Sequence, residues 1–335
     1  MKLVKAEILW TRKCPLSCSY CNMVNDKENT MTRDEWYRGL DNLKELGCEF
    51  AAFYGAEPLY DFGFLPEVVG YAEKIGIYTT VITGGLASGK VTCNKLRLLK
   101  EGGATSLSVS YDLKTEEDSS IIKSNRALPM LKTFRGDCGV QLRDIAAITT
   151  LTRKNLPFLF KSIKDMTAEG IWTLFDFIHW DREQLGSKCK GSAKGLRFVK
   201  DDVEQVIDTL KAIMNLKALG YKVHTSQYFV DLIEKNPELL LNYNWNCAAS
   251  KYNDVFPSWV TVDCDGKVRP CDDFDPPNVS SCRIDDLTEA KLKELSLLWK
   301  KEILLGCPGC LWNTHIDAHA IKLGEVPFSD YVHTE

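Results

Sequence analysis

The sequence predicts an α/β fold: a parallel sheet, open or closed into a partial barrel, followed by a small cysteine-rich segment. Three observations predict it. Six β-rich runs alternate with helical stretches, glycines fall where those helices should stop, and the character of the chain changes after Asn236. Repeated strand–helix units imply right-handed crossovers and parallel pairing. The 335 residues suffice for such a body with a smaller appendage.

The strand candidates are Lys5–Trp10, Glu49–Tyr54, Tyr78–Ile82, Ser106–Tyr111, Gln141–Thr149 and Ile171–His179. Helical patterns lie between them at Thr32–Leu46, Phe64–Lys74, Asn94–Glu101, Asn155–Glu169 and Lys200–Leu219. Thr32 followed three residues later by Glu35 reads as a capping box that opens the first helix. Gly47, Gly76, Gly102 and Gly170 stand where a helix ends and the chain turns back. Pro237, Asn242, Asn244 and Asn246 mark a linker, which divides the chain into residues 1–235 and 236–335. Beyond it, Trp259–Val262 and Lys267–Arg269 form a hairpin in which Asp265-Gly266 suits a two-residue turn. A helix over Leu287–Leu305 and the motif Cys307-Pro-Gly-Cys310 follow.

Composition narrows the function. Lys and Arg (42) nearly balance Asp and Glu (46), a net charge of −4, so no basic surplus marks a nucleic-acid partner. No apolar run is long enough to span a membrane, and the first residues lack a signal-peptide pattern. A cytoplasmic, reducing setting follows, where the 13 cysteines serve ligation or catalysis rather than disulfides.

Cys14-Pro-Leu-Ser-Cys18-Ser-Tyr20-Cys21 places three thiols within eight residues, on a loop just after the first strand. In parallel α/β folds chemistry gathers at the carboxyl ends of strands. Three thiolates so spaced wrap three corners of a 4Fe–4S cubane and leave one iron open to a small ligand. A zinc knuckle is the alternative. It needs a fourth ligand nearby, and the first histidine is His179.

This motif resembles the signature of the radical S-adenosylmethionine (radical SAM) superfamily. The resemblance covers roughly residues 5–225 and implies a partial (β/α)6 barrel. It also implies a cluster that binds S-adenosylmethionine and, after one-electron reduction, cleaves it to methionine and a 5′-deoxyadenosyl radical. That radical abstracts hydrogen from a substrate. Electrons would come from a reducing partner such as flavodoxin or ferredoxin. By resemblance, Tyr20 packs beside the adenine. Gly55-Ala56-Glu57-Pro58 is similar to the family's Gly-Gly-Glu-Pro, with Glu57 offered to the cofactor's ammonium. Alanine tolerates positive φ poorly, so Ala56 raises the expectation of a different turn. Thr83-Gly84-Gly85 resembles a Thr-Asn-Gly segment, and Ser108 and Ser110, on one face of the fourth strand, reach for the ribose or carboxylate.

Cys247, then Gly266-x4-Cys271, then Cys307-x2-Cys310 resembles the twitch domain, a short form of the SPASM extension. This implies a second, auxiliary 4Fe–4S cluster held by Cys247, Cys271, Cys307 and Cys310. The ligand types equally permit a structural zinc site, and Cys264 or Cys282 are alternatives to Cys247.

Other residues are weighed against plainer roles. His179 closes the sixth strand on the substrate side as a candidate acid–base group, with Asp176, of opposite parity, the rival for the inward face. His315 and His319 have i, i+4 spacing but no third ligand, so a solvated face near the terminus is expected. Cys189 lies in the small, basic loop Gly186–Gly195, where a thiol hydrogen could quench a substrate radical. The substrate expected is a small molecule or a peptide, changed by oxidation, epimerisation or bond formation. Nucleic-acid modification and a non-catalytic iron–sulfur or zinc protein are the competing readings. The open three-cysteine corner argues against the last.

Overall fold

The structure is a computed structural model that describes residues 2–15, 18, 21, 28–86, 89–111, 144–178, 195–243, 247, 257–271, 281–307 and 309–331. Its centre is an eight-stranded sheet of order β6-β5-β4-β3-β2-β1-β7-β8. The strands are β1 (Lys5–Leu9), β2 (Phe50–Tyr54), β3 (Tyr78–Thr83), β4 (Ser106–Ser110), β5 (Asp144–Leu151), β6 (Trp172–Phe177), β7 (Trp259–Val262) and β8 (Val268–Arg269). Every pairing is parallel except β7 with β8. The helices between them are α1 (Arg33–Glu45), α2 (Leu65–Lys74), α3 (Gly89–Gly102), α4 (Leu156–Ala168) and α5 (Val203–Ala218). The mixed α/β fold with a parallel sheet is the one expected.

Alternation along each strand divides the sheet into two faces. One packs on helices. Trp10, just past β1, stacks on Trp36 of α1 at 5.4 Å, and Phe177 meets Phe198 at 5.5 Å. The other face carries Lys5, Glu7 and Leu9 of β1 and, across the sheet, Thr80, Ser108, Ile148 and Asp176. Thr32 and Glu35 form the expected capping box of α1. Gly47, Gly76 and Gly170 take positive φ as expected, but α3 runs through Gly102 and the turn falls on Gly103.

The cysteine-rich segment is not separate from this sheet. β7 pairs with β1 in register, Lys5 with Trp259 through Ile8 with Val262. The β7–β8 connection is also one residue longer than a two-residue turn. Asp263 bonds Lys267 O through its N–H (2.9 Å), and Gly266 N–H returns to Asp263 O (2.8 Å). With Gly266 at φ 82°, this is a turn closed by a left-handed glycine, and a Cβ there would lie 2.6 Å from Met31 Sδ. Part of the expected linker is ordered too. Leu239–Asn242 is helical (α7), and the buried Tyr243 ring lies under Arg197 at 4.3 Å.

Three further helices are α6 (Gln227–Lys235), α8 (Glu289–Gly306) and α9 (Asn313–Leu323). In α9, every residue from Asn313 to Ala320 is buried. It lies across the inner face. Asn313 N–H donates to Asp176 of β6 (2.7 Å), while His315 Nε2 lies 3.1 Å from Glu7 Oε2 of β1. Burial on all sides explains its composition: Asn, His and Asp find partners inside instead of forming a wet stripe. The expected solvated face for His315 and His319 is therefore corrected. His315 is fully buried between Trp259 (4.3 Å) and Trp312 (5.1 Å), and His319 Nδ1 meets Ser258 Oγ at 3.3 Å. No helix among the described residues is long and apolar enough to cross a membrane.

Candidate active site

The chain leaves β1 as Thr11-Arg12-Lys13-Cys14, and the turn after β2 clamps this exit at two points. Gly55, at φ 110°, lies so close that a Cβ would sit 2.4 Å from Thr11 O. Only glycine fits there. Glu57 N–H donates to Lys13 O at 3.0 Å. The return from the cysteine loop is fixed as well, by Asn29 N–H on Asp61 Oδ2 at 2.9 Å. Ala56 is not among the residues with positive φ, so alanine at that position imposes no left-handed strain on the turn.

Glu57 is fully buried, and its carboxylate faces into the protein. Oε1 accepts from Thr83 Oγ1 (2.6 Å) and Leu59 N–H (3.0 Å), and Oε2 accepts from Gly84 N–H (2.8 Å). The Glu57 side chain thus ties the turn after β2 to the turn after β3. Thr83 is buried by the same bond and also accepts from Gly85 N–H at 2.9 Å.

Beneath these turns the inner face is partly open. Near the carboxyl ends Tyr54, Ile82, Ser110, Ile148, Thr150, Leu174 and Asp176 are all half-buried, while their helix-facing neighbours Phe53, Val81, Val109, Ala147 and Phe175 are buried. At this end of the sheet the inner face is thus more open than the helix-packed face. Ser108 and Ser110 share that face as expected. Ser108 is the deeper of the two, bonded to Thr80 Oγ1 at 3.0 Å across β3 and β4. Asp176, the rival to His179, is the residue of β6 that faces inward.

Charged groups order the floor and wall of this space. Glu7 lies between Lys5 Nζ (2.6 Å) and His315. Burial alone would raise its carboxyl, but Lys5 and then His315 hold it well below the usual carboxylate range. Asp263, at the head of the β7–β8 turn, accepts Arg12 Nε (3.0 Å) and Nη2 (2.6 Å), with Arg269 Nη2 at 3.5 Å. These partners outweigh burial and keep Asp263 ionised. Asp317 of α9, bonded by Ser226 Oγ, is pushed the other way by burial, up to about 7. None of the Arg12, Asp263 or Asp317 contacts was foreseen, because no local pattern joins residues so distant in sequence.

Cys14, Cys18, Cys21, Cys247 and Cys271 are half-buried, Cys307 is exposed and Cys310 is buried. Cys21 N–H returns to Cys18 O at 3.2 Å, and Gly309 N–H points at Cys307 Sγ at 3.4 Å. Among the described residues no three His, Cys, Asp or Glu side chains converge tightly enough for a single metal ion. A cubane asks for less convergence, because each thiolate meets a different iron. An all-thiol set on a loop braced at entry and exit fits such a group. Cys264 is a poor substitute for Cys247: it is fully buried in the hairpin turn, and its thiol is pushed up to about 12 by burial and by Asp263. Tyr20, His179 and Cys189 lie outside the described residues.

Comparison with known proteins agrees with this geometry. Residues 8–126 match the model of the Radical SAM superfamily. Among solved structures, SuiB of Streptococcus suis bound to S-adenosylmethionine superposes with a TM-score of 0.63 at 15% identity. That match covers 89% of this chain and 66% of SuiB, so the chain spans just under two thirds of that relative's length. The structure titled native anSMEcpe with bound AdoMet and Kp18Cys peptide matches with a TM-score of 0.58 at 18% identity, covering 90% of this chain and 82% of that one. The braced cysteine loop, the turns after β2 and β3 and the strands that carry them fall within or beside the matched segment, so this part of the chain is similar to the domain of the Radical SAM superfamily.

Proposed function

We propose that this chain is a radical SAM oxidoreductase or related radical enzyme acting on a peptide or a small molecule. The observation that carries the reading is the exit of β1 toward Cys14, clamped by Gly55 and Glu57 beside half-buried, partly polar inner-face residues. The 4Fe–4S cluster, when bound, supplies the electron that cleaves S-adenosylmethionine to methionine and a 5′-deoxyadenosyl radical. Cys14, Cys18 and Cys21 would hold it. The residues 55–58 and 83–85 form one hydrogen-bonded rim, and Tyr20, by its resemblance to the family's aromatic, would pack beside the adenine. Ser108 and Ser110 line the wall below, and Asp176 stands at the far side of the mouth. His179 and Cys189 follow β6 in sequence and are the candidate proton and hydrogen donors.

A second cluster at Cys247, Cys271, Cys307 and Cys310 would accept or relay electrons, with four thiolates leaving no corner for substrate. A flavodoxin- or ferredoxin-like partner would reduce the protein. The peptide reading draws support from relatives of the same fold, one titled as SuiB bound to precursor peptide SuiA and one as anSMEcpe with a Kp18Cys peptide. Anaerobic reconstitution tests the account. We expect about eight iron and eight sulfide per chain, and 5′-deoxyadenosine after reduction with dithionite. About four iron with zinc would reassign the C-terminal motif, and absence of cofactor cleavage would overturn the reading.

A further inference from the structure

The roots of the two cysteine-bearing segments meet at one carboxylate. Arg12 stands two residues before Cys14, and Arg269 stands two residues before Cys271. Asp263 receives Arg12 on both oxygens, Nε to Oδ1 at 3.0 Å and Nη2 to Oδ2 at 2.6 Å. Arg269 Nη2 lies 3.5 Å from the same Oδ2. All three residues are buried, Asp263 and Arg269 at 2% exposure and Arg12 at 8%. The carboxylate is itself aimed by the hairpin, since Oδ1 accepts Cys264 N–H at 2.9 Å and the Asp263 backbone closes the turn onto Lys267 and Gly266.

We propose that Asp263 is a positioning residue that sets the Cys14–Cys21 loop against the Cys271 arm through Arg12 and Arg269. The parallel pairing of β1 and β7 brings the two strand ends side by side but fixes neither loop beyond them. A bidentate arginine–carboxylate pair is directional, so it fixes orientation as well as distance. Packed apolar side chains would serve stability equally well or better, and a buried charged triad is better explained by the geometry it imposes. Electron transfer between two centres depends on that geometry.

The proposal rests on reading both cysteine sets as cluster ligands, and the test separates the two claims. Hydrogen–deuterium exchange is measured on the full chain, both metal-free and reconstituted, for wild type, Asp263→Asn and Arg12→Lys. Asp263→Asn keeps the shape and loses the charge, and Arg12→Lys keeps the charge and loses the fork. We expect exchange to rise together in residues 11–15 and 264–271, by at least about tenfold in each, with β3–β5 unchanged. In reconstituted protein at unchanged iron content, the magnetic interaction between the two reduced clusters, read by electron paramagnetic resonance, should shift. A rise confined to residues 264–271 would overturn the proposal, as would loss of protection throughout the sheet in both variants, which would make the triad a general stabiliser. The exchange readout on metal-free chain decides the positioning claim whatever metal the cysteines prove to hold, and zinc in place of iron would sink only the cluster reading.

Discussion

Glu57 shows how a motif residue acquires a role that its sequence context does not spell out. The tetrapeptide 55–58 reads as a cofactor turn, with the carboxylate offered outward. In the folded chain that carboxylate serves donors from Leu59, Thr83 and Gly84, so the acid organises the rim on which a cofactor would rest. Glu57→Gln should then destabilise the metal-free protein by about 1–3 kcal/mol, because the new amide group must face one of these donors. Urea unfolding checks it, and an unchanged midpoint would mean that the carboxylate is not engaged. The cysteine spacing was legible because its three thiols lie within eight residues of one another. The Arg12–Asp263 pair was not, since its partners are 251 positions apart and neither stands out alone.

Among the elements, the six strands and the five described helices between and after them could be read because buried parallel strands and amphipathic helices leave different periods in the sequence. α9 could not, for the same physical reason. A helix buried on every side needs no apolar stripe, and its His, Asp and Asn residues look like surface until their partners are placed. Within the expected linker, Asn242 closes a short ordered helix that follows Pro237 and ends in left-handed Tyr243. Asp317 gives α9 a measurable signature. Its carboxyl is raised from 3.8 to about 7, chiefly by burial, with Ser226 and Lys217 opposing and Asp176 adding to the rise. Stability from this group is fully present below its unfolded value and is lost as pH rises toward and through 7. Compared with Asp317→Asn, wild type should lose about 4 kcal/mol between about pH 4 and 8. Thermal unfolding of both proteins across that range is the check, and parallel curves would mean that Asp317 ionises freely in the fold.

On the scale of the whole molecule, the C-terminal segment does not merely follow the barrel. It enters the sheet through β7, braces the cysteine loop through Asp263, and fills the inner face through α9. The sequence marked this segment off by its cysteines and turns, because pairing between strands more than 250 residues apart leaves no local trace. At the carboxyl ends the described inner-face residues are half-buried, beside the exit of β1 that leads to Cys14, and the account stands on the Cys14–Cys21 loop being where S-adenosylmethionine is cleaved. The most direct test replaces Cys14, Cys18 and Cys21 together with alanine and follows 5′-deoxyadenosine formation in anaerobically reconstituted, dithionite-reduced protein. The account predicts no 5′-deoxyadenosine, with about half of the wild-type iron retained at the C-terminal cysteines. Undiminished cleavage in the triple variant would contradict it.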